Sequence, residues 1–114
     1  AEYFSSEWVG VAIDVYHLWW DPDLKEQIQR CGKSGNILAF HICDWNVPTG
    51  DLLLDRELMG RGCIPVKEIS QWVDKAGFKG FREVEIFSKR YWNSDQDVFL
   101  REIISAYNET YDKF

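Results

Sequence analysis

The sequence has no cluster of lysine and arginine, and its 13 basic residues are outnumbered by 19 acidic ones, giving a formal net charge of −6. Nucleic-acid binding depends on a basic patch that neutralises phosphates, so we expect no nucleic-acid partner. No apolar run approaches the roughly 20 residues that cross a bilayer, and the N-terminus lacks the charged-then-apolar pattern of a signal peptide. We therefore expect no membrane partner.

Cysteine is also scarce, with three residues at wide and irregular spacing: Cys31, Cys43 and Cys63. This pattern matches neither a disulfide framework nor a structural zinc site. A reducing, cytoplasmic location is the simplest expectation. Apolar residues, in contrast, make up 46% of the 114 residues, enough to bury one core. Because no linker interrupts the chain, we predict one domain over residues 1–114.

Two apolar runs predict buried strands. Ile37–Trp45 (ILAFHICDW) lies between segments rich in Gly, Ser, Asn and Pro, and its even positions Leu38, Phe40 and Ile42 are large and apolar. Its odd positions include His41. Val9–Val15 (VGVAIDV) contains several β-branched residues and holds Asp14 next to its end, with His17 three positions later. Each strand therefore brings polar side chains close to its carboxyl end.

Later segments extend the pattern to strand then helix, three times over. Helical spacing predicts helices over Asp21–Arg30, Pro65–Ala76 and from about Val98 to Thr110. Alternation in Phe81–Phe87 (FREVEIF) predicts a third strand with Glu83 and Glu85 on one face. Strands that alternate with helices in this way favour an α/β fold with a parallel sheet.

The segment from Asn46 to Ile64 has no clear period and is long for a simple connection, which is typical of functional loops. Gly60 and Gly62 flank Arg61 in it, and this pair predicts a sharp turn or a close approach of the backbone to a ligand. No strand leads directly into the pair, so a phosphate-binding loop is only weakly indicated.

The carboxyl ends of the three strands carry Asp14, His41 and Glu85. Ligands of parallel α/β folds gather at this end of the strands. Carboxylate oxygens with an imidazole nitrogen suit a divalent cation such as Mn²⁺, Mg²⁺, Co²⁺ or Zn²⁺. The alternative is that the two acids are salt-bridged strand ends and the histidine is a core residue.

Four motifs, VGVAIDVYH, ILAFHICDW, DLLLDRELMGRGCI and FREVEIFS, occur in this order along the chain. With them the sequence resembles the sugar phosphate isomerase/epimerase group of xylose isomerase-like barrels. The resemblance implies three consecutive βα units that form the C-terminal part of a (β/α)8 TIM barrel, with parallel strands and outer helices. It also implies a small-molecule sugar substrate and metal-assisted proton transfer on a keto-sugar, polyol or inosose.

Carried over residue by residue, the resemblance assigns Asp14, His41 and Glu85 as metal ligands and Glu85 also as the catalytic proton-transfer residue. His17 and Arg56 match substrate-binding positions. The family uses a fourth ligand, a glutamate from an earlier strand, and this chain has no counterpart of it. We therefore expect little or no turnover by the chain alone.

An isolated set of three units would leave open sheet edges and an exposed interior face. This predicts either a fragment that associates with the missing part of the barrel or a homo-oligomer. Two other functions stay open: a non-catalytic barrel piece used for assembly, and a DNA-repair activity like that of endonuclease IV. Those relatives carry a histidine two positions after an aspartate in the loop, where this chain has Asp55 and then Glu57.

Overall fold

The computed structural model describes residues 1–4 and 7–111. After a 3-10 turn at Glu2–Phe4, the elements are β1 (Val11–Asp14), α1 (Val15–Leu18), α2 (Leu24–Lys33), β2 (Ile37–Ile42), β3 (Asp44–Trp45), β4 (Arg56–Glu57), α3 (Val66–Lys75), β5 (Arg82–Val84), α4 (Lys89–Trp92) and α5 (Gln96–Tyr111). Strands β1, β2 and β5 form a parallel sheet in that order, and β3 pairs with β4 as an antiparallel ribbon. Among the described residues, no helix has the length and apolar character to cross a membrane.

The register of the sheet separates an apolar face from a polar one. Ile13 of β1 lies beside Phe40 of β2, and both side chains are buried in the core. On the opposite face, His41 lies between Asp14 of β1 and Glu83 of β5. Because strand residues alternate between faces, the polar side chains of neighbouring strands are brought together on one surface.

The core joins the apolar face of the sheet to the helices. Helices α2 and α3 pack against each other, and both contribute buried side chains to the same hydrophobic cluster as the strands. This is the parallel α/β arrangement that the sequence predicts. The helix-covered face is less complete than predicted, because Leu38 is 55% exposed.

The predicted strand Ile37–Trp45 is too long. The parallel strand ends at Ile42, and Asp44 and Trp45 leave it to pair with Glu57 and Arg56. Asp44 causes the departure, because its carboxylate accepts hydrogen bonds from its neighbour's amide and from amides of the following loop. The loop predicted to lack regular structure therefore contains β4.

Helix α2 begins at Leu24 and ends at Lys33, about three residues later at each end than predicted. The predicted N-cap, Asp21, instead accepts a hydrogen bond from the amide of Asp23 and forms a turn before the helix. The polar segment 88–97, for which the sequence analysis predicts no helix, contains α4, whose N-cap is Ser88.

Candidate metal centre

Asp14, His41 and Glu85 converge on one point at the carboxyl ends of the sheet strands. One ligand atom from each residue lies within 4.8 Å of the other two. Asp14 closes β1, His41 lies next to the end of β2, and Glu85 follows β5, where its amide donates to the carbonyl of Ile42. Parallel pairing of the three strands is what places the three side chains together.

The Asp14 carboxylate is fixed by its backbone. Its Oδ1 accepts a hydrogen bond of 2.8 Å from the amide of Tyr16, so Asp14 caps α1. Its Oδ2 faces the cluster, 3.4 Å from Arg56 Nη1 and 3.7 Å from His17 Nε2. One oxygen is thus used to hold the chain, and the other faces the charged groups of the site.

Both ring nitrogens of His41 face carboxylates. Nδ1 lies 3.7 Å from Glu85 Oε2, and Nε2 lies 3.3 Å from Glu83 Oε2. A carboxylate on one ring nitrogen is a common way to orient a histidine whose other nitrogen binds a metal. The ring is partly exposed, as a ligand that faces an open site should be.

Arg56 is the most buried charged side chain of the cluster, at 2% exposure. Its guanidinium lies over the rings of Tyr16 and Phe87, 4.3 and 4.6 Å from their centroids. Nη1 donates to Glu85 Oε2 at 3.0 Å, and Nη2 lies 3.2 Å from His17 Nε2. The structure therefore brings all five predicted site residues into one cluster.

Cys43 lies near this cluster without offering it a thiolate. The residue is fully buried, and burial raises the pKa of its thiol to about 12, although the nearby Arg56 cation acts in the opposite direction. Metals bind the deprotonated sulfur. Near neutral pH the ligand atoms at this point of the chain are therefore oxygen and nitrogen.

The donor set fits a divalent cation. Two carboxylates and one imidazole match the O and N ligands that Mn²⁺, Co²⁺ and Zn²⁺ accept, and three protein ligands leave positions for water or substrate. Asp14, His41 and Glu85 are the residues that would hold such an ion.

Sequence reasoning missed the role of Asp44. Its side chain is fully buried, and its carboxylate accepts four backbone N–H bonds of 2.8–2.9 Å, from Trp45, Gly60, Gly62 and Ile64. Burial raises the pKa of Asp44, and the four amide donors act in the opposite direction. The backbone at Gly60 and Gly62 does make the predicted close approach, but the group that it approaches is the Asp44 carboxylate and not a ligand. An acid after a buried strand, followed by paired glycines, was the available signal.

Glu57 is a second buried acid that sequence reasoning did not place. It accepts hydrogen bonds from the amide of Leu58 and from the hydroxyl of Tyr91, and it forms an ion pair with Arg90. Burial, followed by the hydrogen bond to Glu57, raises the pKa of Tyr91 to about 12. Both carboxylate oxygens of Glu57 are therefore engaged within the chain.

The family profile described as xylose isomerase-like TIM barrel matches residues 1–104. The chain therefore belongs to the xylose isomerase-like TIM barrel family, which confirms the resemblance inferred from the four motifs and the predicted fold class. No curated protein matches the chain.

The solved structures that are similar to this chain include two proteins. The first is protein SMc04130 from Sinorhizobium meliloti 1021, with a TM-score of 0.89 and 51% identity over 92% of this chain. The second is the IolI protein with a binding zinc atom, with a TM-score of 0.74 and 19% identity over 93% of this chain, a likeness that shows the fold alone. The chain spans 38% of the length of each of these proteins.

Proposed function

We propose that this chain is the metal-binding C-terminal part of a sugar isomerase or epimerase that acts by proton transfer on a keto-sugar, polyol or inosose. The observation that carries the proposal is the convergence of Asp14, His41 and Glu85 within 4.8 Å. The zinc atom of the IolI structure, which shares the fold, supports a cation at the strand ends. Among the divalent metals, the oxygen and nitrogen donors leave Mn²⁺, Mg²⁺, Co²⁺ and Zn²⁺ as alternatives.

In this proposal Glu85 moves the proton. A divalent cation supplies Lewis acidity that stabilises negative charge on substrate oxygens. The Glu85 carboxylate takes a proton from the carbon next to the carbonyl, and the hydrogen bond that its Oε2 accepts from Arg56 orients the carboxylate. The resemblance assigns the partner carboxylate, which acts on the opposite face of that carbon, to a strand outside these 114 residues.

His17 and Arg56 are the proposed substrate contacts. The His17 side chain is 62% exposed and lies beside Asp14, so its ring can reach a hydroxyl of a sugar bound over the site. Arg56 is buried, and its Nη2 lies 3.2 Å from His17 Nε2, so this nitrogen is the proposed substrate contact of Arg56. Together they would orient the polyol chain relative to Glu85.

Metal binding is the first test. We expect the 114-residue chain to bind one Mn²⁺ in a calorimetric titration, and we expect His41→Ala to abolish binding with the fold mostly intact by circular dichroism. His17→Ala is the matched control, because it removes a neighbouring imidazole that is no proposed ligand. If the helical signal of His41→Ala collapses, or if its metal uptake equals that of the unsubstituted chain, His41 is a core residue and the proposal fails.

The reaction is the second test. A protein that supplies the remaining strands should incorporate solvent deuterium into product when it is incubated with ketoses and inososes in deuterated water. A product formed without deuterium would remove the proton-transfer mechanism and favour a hydride shift. The Glu85→Gln variant should lose the exchange and keep a metal, because an amide oxygen can still coordinate the ion.

A non-catalytic barrel piece is the second candidate function. It is favoured by one observation: Arg56 already places a positive charge against both ligand carboxylates, 3.0 Å from Glu85 and 3.4 Å from Asp14. Absence of metal uptake would support this candidate. An activity like that of endonuclease IV gains no support, because Glu57, at the position of that family's additional histidine, is buried and engaged with Tyr91 and Arg90.

A further inference from the structure

Arg56 does more in this site than contact a substrate. Nη1 lies 3.4 Å from Asp14 Oδ2 and 3.0 Å from Glu85 Oε2, and both oxygens belong to proposed metal ligands. The same nitrogen also donates to the Glu85 backbone carbonyl at 3.3 Å. One guanidinium nitrogen therefore contacts both carboxylates that would coordinate a cation.

The guanidinium is held where it is. It lies over the rings of both Tyr16 and Phe87, and its side chain is only 2% exposed. The backbone of Arg56 is fixed as well, because its amide donates to the carbonyl of Phe87 and the residue pairs with Trp45 in the β3–β4 ribbon. A side chain enclosed in this way cannot swing into solvent when another cation approaches.

A fixed positive charge next to ligand oxygens has a definite consequence. An ion coordinated by those oxygens lies within a few ångströms of the guanidinium, in a partly buried site where charges are weakly screened. The two cations repel each other and compete for the same carboxylate charge. When no metal is bound, the positive charge of the guanidinium offsets the repulsion between the two carboxylates.

We infer that Arg56 is a built-in competitor of the metal: it lowers the affinity of the Asp14–His41–Glu85 site for divalent cations and keeps its carboxylates compensated. The inference rests on the proposed function, because it takes this triad to be a metal site. It adds to that function a residue that sets how tightly the ion is held. Arg56 is therefore a positioning residue for the carboxylates as well as a proposed substrate contact.

The test compares Mn²⁺ affinity, measured by calorimetry, in the unsubstituted chain and in Arg56→Gln. We expect Arg56→Gln to bind Mn²⁺ at least tenfold more tightly, because the repulsive charge is removed. Arg56→Lys keeps the positive charge, so its Mn²⁺ affinity should lie closer to that of the unsubstituted chain than to that of Arg56→Gln. An affinity of Arg56→Gln that is equal or weaker overturns the inference.

Arg90→Gln is the matched control. Arg90 also pairs with a buried carboxylate, that of Glu57, and also lies over an aromatic ring, 4.4 Å from the centroid of Tyr91. Its substitution changes the net charge by the same amount but removes no charge from the triad. We expect unchanged Mn²⁺ affinity, and a tenfold gain here would overturn the inference by showing a general charge effect.

Folding of the variants is followed by circular dichroism with and without Mn²⁺. Arg56→Met is a second variant that removes the charge, and its apolar side chain suits the position against the Tyr16 and Phe87 rings. If both variants fold only when Mn²⁺ is added, the metal replaces the lost charge and the inference is supported. If both stay unfolded in saturating Mn²⁺, Arg56 has a structural role that no metal can replace, and the inference is wrong.

A His41→Ala substitution in each background separates the two proposals. If Mn²⁺ binds the unsubstituted chain and His41→Ala alike, the proposed metal site fails and this inference fails with it. If binding requires His41 but does not tighten in Arg56→Gln, the metal site stands and only the role of Arg56 as a competitor is wrong.

Discussion

Asp14 and Asp44 both follow buried strand residues at the same end of the sheet, yet the structure uses them in opposite ways. Asp14 accepts one backbone N–H, from Tyr16, and turns its second oxygen toward the charged cluster. Asp44 accepts four backbone N–H bonds and has no exposed surface. The Asp14 carboxylate can still accept contacts from a ligand, whereas the Asp44 carboxylate is fully occupied by backbone amides of the chain.

The number of backbone N–H donors to each carboxylate, more than the burial of the strand, distinguishes the candidate ligand Asp14 from the structural residue Asp44. A carboxylate with three or four amide donors has little coordination capacity left, and it fixes the loop that surrounds it. Asp44 folds the segment that carries Arg56 into the site, since β3 and β4 pair beside it. Asp44 thus positions Arg56, and Arg56 in turn contacts Asp14.

Removal of Asp44 should have the largest effect on stability. Asp44→Ala removes the buried carboxylate that four backbone amides share as their acceptor, and we expect the free energy of unfolding to fall by at least about 3 kcal/mol. Urea denaturation followed by tryptophan fluorescence measures it. Asp51→Ala is the control, because Asp51 accepts from two amides, those of Leu53 and Leu54, in an exposed turn. A similar loss for both variants would contradict the special role of Asp44.

A side chain at Gly62 should have the next largest effect. A Cβ there would lie 2.5 Å from Asp44 Oδ1 and would also meet the Trp45 carbonyl oxygen, so the loop must open to accept it. We expect Gly62→Ala to lower the free energy of unfolding by about 2 kcal/mol. Gly35→Ala, at a position with open space and a φ of 66°, should cost about 1 kcal/mol. Equal costs would show that the loop yields easily around Asp44.

Asp14→Asn should change stability little and metal binding much. The amide keeps the Oδ1 acceptor that caps α1, so only the ion pairs to Arg56 and His17 are lost. We expect a loss of about 1 kcal/mol in unfolding free energy. Mn²⁺ affinity should fall by roughly tenfold or more, because a charged ligand becomes neutral. A large loss of stability with unchanged affinity would place Asp14 with Asp44, as a structural residue.

Thiol labelling gives the smallest perturbation, since it reports on both regions without a substitution at either aspartate. Cys43 is fully buried near Arg56, and its raised pKa, about 12, keeps the thiol protonated at pH 8. Cys63 is exposed near Asp44. We expect an aromatic disulfide reagent to label Cys63 in the folded chain and Cys43 only on unfolding. Rapid labelling of Cys43, identified in a variant that combines Cys31→Ser with Cys63→Ser, would show that the strand end beside the candidate metal centre opens.

Local patterns were enough to predict much of the site. Alternation fixes which residues of a strand share a face, and parallel strands align their carboxyl ends. These two rules predict that Asp14, His41 and Glu85 lie at one edge of the sheet. Family motifs added His17 and Arg56. All five residues do lie in one cluster, although their roles in metal and substrate binding remain predictions.

The sequence by itself determined the order of the three parallel strands and the three longer helices, the apolar and polar faces of the sheet, and the acids and imidazole at its edge, because these follow from periodicity over a few neighbouring residues. Only the tertiary structure decided that the chain leaves the sheet after Ile42, that Gly60 and Gly62 wrap around Asp44, and that Arg56 is buried against Tyr16 and Phe87. The contacts of Asp44 with the two glycines and of Arg56 with the two rings join residues 16 to 40 positions apart, and no local pattern specifies which partner a buried charged group will find across such a distance.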